Sequence, residues 1–91
     1  MKLKWTDKAL SDLVCLHEFL AATNSVAAAQ AVQTLAKAPT LLHTQPRIGE
    51  QLFHFESREV RRILAAWYEI RYEIQSDTVY VLRPWHTKED R

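Results

Sequence analysis

This chain of 91 residues predicts an α+β fold: a helical hairpin packed on one face of a small, twisted, mostly antiparallel sheet, in the order β-α-α-β-β-β. Three observations carry that prediction. Apolar residues recur at helical spacing from about residue 7 to 42, and from residue 51 the period changes to two. Between the helical stretches lies only Thr23-Asn24-Ser25, a break short enough to fold the second helix back on the first.

The elements follow in order. Residues 2–5, KLKW, alternate and read as a short strand. Thr6 is an N-cap, and Asp7 places a carboxylate in the first helical turn, where the helix dipole favours negative charge. On a helical wheel Ala9, Leu10, Leu13, Val14, Leu16, His17 and Leu20 share one arc, with Lys8, Ser11, Asp12, Cys15 and Glu18 opposite. The first set is expected to be buried, with His17 packed or hydrogen-bonded inside it rather than serving as a ligand or base. Phe19 falls among the polar residues, so it is expected to be exposed, as a partner-binding anchor is in a free chain.

The second helix runs from about 26 to 42 on Ala28, Val32, Leu35, Pro39 and Leu42. Pro39 lacks an N–H and crowds the preceding turn, so it either kinks this helix or ends its regular part near Ala38. The stretch HTQPRIGE, residues 43–50, holds Pro46 and Gly49, the only glycine of the chain, which is expected at a turn position with positive φ. Then LFHFE, VRRILA, YEIRYEI and TVYVLR read as strands, with Ser76-Asp77 as a turn, and their short connections imply an antiparallel meander.

In YEIRYEI, residues Tyr68, Ile70, Tyr72 and Ile74 alternate with Glu69, Arg71 and Glu73. The first set is core; the second points to the uncovered side. One of Arg61 and Arg62 must also point that way. A three-residue connection at Gln75-Ser76-Asp77 puts Arg83 opposite Glu69, whereas a two-residue loop at Ser76-Asp77 puts it opposite Ile70, and both registers stay open.

Composition bounds the rest. A single domain spanning residues 1–91 is expected, with a core that needs neither disulfide nor metal. The lone Cys15 cannot form an internal disulfide, no apolar run is long enough to span a bilayer, and the N-terminus lacks an apolar leader, so a cytoplasmic protein without membrane contact is expected. A net charge of +1 argues against coating nucleic acid by bulk electrostatics. Six of the seven arginines nevertheless follow residue 57, so the C-terminal part either recognises an anionic partner or pairs internally with the six acids of the same segment. There is no glycine-rich phosphate loop, no CxxC or HxxxH spacing and no nucleophile elbow, so no metal and no cofactor is expected.

The order of elements, with QPRIGE (45–50), Arg61 opening a strand, Tyr68-x-Ile70-x-Tyr72 and the closing Leu82-Arg83-x-x-His86, resembles the RelE/ParE superfamily of bacterial toxins from type II toxin–antitoxin modules. The likeness covers essentially the whole chain. It implies a plasmid-stabilization type of toxin, held in a hetero-oligomer by a cognate antitoxin, for which Phe19 is the candidate contact. Two mechanisms live on the fold. RelE-like members are ribosome-dependent, metal-independent mRNA endoribonucleases, and that reading would use Arg61, Arg83, His86 and Lys88. ParE-like members inhibit DNA gyrase and have no known catalytic residues, and that reading makes Arg61, Arg71, Arg83 and His86 target contacts. Glu69 and Glu73 put negative charge where an RNA phosphate would lie, which favours the ParE-like branch; an inactive interaction module of the same fold is the remaining alternative.

Overall fold

The computed structural model describes residues 1–53, 55, 57–65 and 67–86, Trp85 and His86 as strand backbone. Strand β1 (Lys2–Trp5) leads into helix α1 (Asp7–Ala21), and helix α2 (Ser25–Lys37) passes into a 3₁₀ helix (Ala38–His43). The chain continues through β2 (Glu50–Leu52), β3 (Glu59–Ala65), β4 (Tyr68–Gln75) and β5 (Thr78–His86). The expected architecture is present with one more short strand, β2. Of the predicted strand LFHFE, residues 52–56, only Leu52 lies in it; His54 and Glu56 fall outside the described residues.

The five strands form one sheet in the order β1-β5-β4-β3-β2. Strand β1 runs parallel to β5, and the other pairings are antiparallel. Thr6 fixes the entry to α1: its hydroxyl oxygen accepts the Ala9 N–H at 3.1 Å and donates to the Val81 carbonyl at 2.7 Å. One side chain thus caps the helix and ties it to β5. Asn24 caps α2 in the same way through the Ala27 N–H. Pro39 does not kink a continuous helix. The α-helix ends at Lys37, and the chain tightens into 3₁₀ geometry with the proline in its first turn, where a missing N–H costs nothing.

Ala9, Leu35, Ile70 and Val81 form one half of the core, and Leu42, Tyr72 and Val79 the other. Burying a leucine such as Leu35 or Leu42, each fully enclosed, contributes about 1.5–3 kcal/mol. The apolar arc of α1 is wider than the face it buries. Leu13, Leu16 and Leu20 pack partly into the core, whereas Leu10 and Val14 are about half exposed. His17 is exposed too, correcting the expectation of a packed histidine: it sits on the flank of the arc, beyond the reach of the sheet. Phe19 stands out to solvent as the wheel indicated, at 76% exposure. Among the described residues no helix is long and apolar enough to cross a membrane.

Candidate functional site

The face of the sheet away from the helices is built by pairing register. Val60, Arg62 and Leu64 of β3 lie opposite Glu73, Arg71 and Glu69 of β4, so Arg62 belongs to the bare face and Arg61 to the helix side. The Ser76-Asp77 loop has two residues, which alone would set Arg83 opposite Ile70. A register shift between Arg71 and Tyr72, where β5 accommodates the extra Leu82, sets Arg83 opposite Arg71 instead. Neither simple register holds, because a bulge leaves no trace in alternation.

Glu69 is the centre of this face. It is only 2% exposed, although it points away from the core. Its two oxygens accept from different arginines: Arg62 Nη1 at 3.2 Å and Arg71 Nε at 2.9 Å. Arg62 also donates to Glu50 on β2, with a closest approach of 2.7 Å. Beside them Glu73, 6% exposed, takes both arms of Arg58 at 2.7 and 3.1 Å. Burying a carboxylate is costly unless it is paired and hydrogen-bonded, and forked guanidinium contacts meet that condition. Arg83 reaches Asp12 on α1 at 3.1 Å, an acid that Lys8 also approaches at 3.3 Å.

A second cluster occupies the rim of the helix side. Arg47 grips Glu59 with two bonds of 2.8 and 2.9 Å, and Arg61 Nε shares the same carboxylate at 2.9 Å. Arg61 Nη1 also donates to the Gly49 carbonyl at 2.8 Å. With only 16% of its side chain exposed, Arg61 acts as a strut between β3 and the 46–49 turn. The same turn is pinned by Tyr72, whose hydroxyl donates to the Pro46 carbonyl at 2.8 Å and accepts the Gly49 N–H at 3.0 Å. Burial raises the phenol's pKa above its ordinary value, so it remains a donor.

Gly49 does not have positive φ; Ser57 and Ser76 do, at 65° and 55°. Its role is close approach. A Cβ there would sit 2.5 Å from the Tyr72 hydroxyl and 2.6 Å from the Arg62 carbonyl oxygen, where only hydrogen fits.

Hydrogen bonds from Arg47 to Glu59 and from Arg58 to Glu73 lower both carboxyl pKa values, outweighing burial, which raises them. With the folded pKa below the unfolded one, the unfolded chain binds more protons on acidification. The stabilisation is therefore complete above the ordinary glutamate value and is lost as pH falls through the lower folded values. Urea midpoints measured from about pH 6 to pH 3 should fall more steeply for wild type than for Glu59→Gln/Glu73→Gln. Parallel curves would mean that these pairs are energetically idle.

The arginine-rich segment was legible in the sequence; its partition was not. Arg71 lies on the bare face, Arg83 at its edge and Arg61 elsewhere. The His86 side chain and Lys88 lie outside the described residues. Arg62 was only one of two candidates for the bare face, and Arg47 and Arg58 were not read as site residues; the ion pairs of Arg47, Arg58 and Arg62 span 12, 15 and 7 residues, too far for local pattern to reveal. Among the described residues no group of three histidine, cysteine or acidic side chains is placed to hold a metal ion.

Fold and face together define a small α+β domain whose bare sheet surface is a lattice of fixed ion pairs, a surface suited to binding. The family model described as ParE toxin of type II toxin-antitoxin system, parDE, matches residues 3–91, and the chain belongs to this family of toxins. A solved structure titled as a chromosomal ParDE TA system from P. aeruginosa has the same fold, with a TM-score of 0.80 over 94% of this chain and 95% of that one. Sequence identity with it is 20%, a level that speaks for the fold alone. A search of curated proteins found no match.

Proposed function

We propose that this ParE-family chain arrests growth in the cytoplasm by engaging DNA gyrase and trapping its cleaved DNA complex, and that a cognate antitoxin neutralises it in a hetero-oligomer. The observation that supports a protein target best is the pair of buried carboxylates in the bare face. Glu69 and Glu73 are fixed negative charges among Arg58, Arg62 and Arg71, so the face is electrically balanced rather than a continuous cationic track. A phosphate backbone gains affinity by releasing counterions to basic residues, and a face already neutralised from within has little to release. Balanced, geometrically fixed charges serve specificity toward a protein surface instead.

On this reading Arg62 joins Arg71 and Arg83 as target contacts, and Arg61 supports the surface from the rim. His86, the last residue of β5 and paired with Tyr68, and Lys88, two positions on in the sequence, remain proposed contacts. Phe19 is the proposed antitoxin anchor, because an aromatic ring on the helical hairpin at 76% exposure gains from being covered. The purified chain should block supercoiling by gyrase while leaving mRNA intact in a cell-free translation system, and Phe19→Ala should weaken antitoxin binding. Codon-specific mRNA cuts with gyrase unaffected would overturn the target, and unchanged antitoxin affinity would remove the anchor.

A further inference from the structure

The register brings three arginines into one row. Arg62 on β3 lies directly opposite Arg71 on β4, and Arg71 directly opposite Arg83 on β5. Neighbouring strands are about 4.8 Å apart, and like charges facing each other at that spacing destabilise a sheet. Carboxylates from three other places offset this: Glu69 beneath the row, Glu50 from β2 and Asp12 from α1.

These three carboxylates are not equivalent. Glu69 is enclosed at 2% exposure and cannot leave. Glu50 is 64% exposed, and Asp12 divides itself between Arg83 and Lys8. Glu50 belongs to the surface, where ion pairs contribute little and exchange readily, whereas the Asp12 side chain is only 13% exposed. The Glu50 pair also shows what chemistry the Arg62 fork accepts: a carboxylate held by two donors, Nε at 2.8 Å and Nη2 at 2.7 Å.

We infer that the row Arg62–Arg71–Arg83 receives an acidic, amphipathic helix of the protein partner, a carboxylate of which replaces Glu50 while Glu69 stays as the fixed floor and Asp12 keeps its hold on Arg83. The inference rests on the reading that this face engages a protein. Geometry selects the helix. Side chains at i and i+4 stand about 5–6 Å apart, close to the strand spacing, whereas alternate side chains of an extended peptide are about 6.8 Å apart. Leu64, 65% exposed and on the same face beside Glu69, offers the apolar contact that an amphipathic helix needs.

The test uses a fluorescent, helix-stabilised peptide with glutamates at i, i+4 and i+7 beside a leucine stripe, and its glutamine counterpart, titrated into the full chain at low salt. The acidic peptide should bind at least about tenfold tighter than the glutamine one, since desolvated charge pairs across an interface carry at least that much. Arg71→Gln should abolish the difference, and Arg62→Lys, which keeps charge and fold but loses the fork, should reduce it. Lys37→Gln, away from the face, should not. Equal binding of the two peptides, or unchanged binding by both arginine variants, overturns the inference. So does a single-stranded oligonucleotide that binds more tightly with the same arginine dependence, because the row would then read phosphate. Failure of gyrase inhibition with peptide binding intact refutes the gyrase reading alone and leaves the row standing.

Discussion

Gly49→Ala should lower the stability of the domain by about 3 kcal/mol, which for a chain of this size is a fall of roughly 12–24 °C in Tm. The new methyl has nowhere to go. It would meet the Tyr72 hydroxyl at 2.5 Å on one side and the Arg62 carbonyl at 2.6 Å on the other, and the second is backbone in the middle of β3. Relief requires the 46–49 turn to lift off the sheet, and lifting breaks both hydrogen bonds of the Tyr72 hydroxyl and the Arg61 bond to the Gly49 carbonyl. Tyr72→Phe alone should cost about 1–3 kcal/mol, since it strands the Gly49 N–H and the Pro46 carbonyl at a buried site. Together the two changes should cost less than their sum, because removing the hydroxyl also removes one of the two clashes. Denaturation of the four proteins of this cycle measures the coupling. Strict additivity would show that the hydroxyl is not what excludes a side chain at residue 49.

The second large effect is expected at Glu69. Glu69→Gln should destabilise by about 2 kcal/mol, below the 3–5 kcal/mol of a wholly buried pair, because Arg62 and Arg71 are each about a third exposed and water takes part of their charge. What remains after the substitution is two guanidinium groups facing each other without the carboxylate between them. That repulsion is screened by salt, so the loss should shrink as ionic strength rises from about 0.01 to 1 M, over which the Debye length falls from about 30 to 3 Å. Arg71→Gln placed on top of Glu69→Gln should restore part of the stability by removing one of the like charges. A salt-independent loss would instead assign the role of Glu69 to packing and hydrogen bonding.

Both predictions concern features that were half visible in the chain. A single glycine three residues after a proline marked residues 46–49 as special, but the reason lay in Tyr72, 23 residues further on, and not in a local dihedral. Alternation in YEIRYEI assigned Tyr68, Ile70, Tyr72 and Ile74 to the core and Glu69, Arg71 and Glu73 to the other face, because side chains of a strand alternate whatever it pairs with. It said nothing of burial on that other face. Glu69 and Glu73 are as enclosed as core residues because arginines of β3, β4 and the preceding loop lie over them.

The hairpin, its caps at Thr6 and Asn24, the end of the regular helix before Pro39 and the outward Phe19 all follow from periods and propensities that act within a few residues, and sequence was enough for these. His17, Leu10 and Val14 were misplaced because a wheel gives the direction of a side chain but not the width of the surface that the sheet covers. The choice of Arg62 over Arg61 for the bare face, the bulge that sets Arg83 against Arg71, and the carboxylates that make their row tolerable depend on strand register. Register comes from contacts between segments distant in the chain, and only folding brings those segments together.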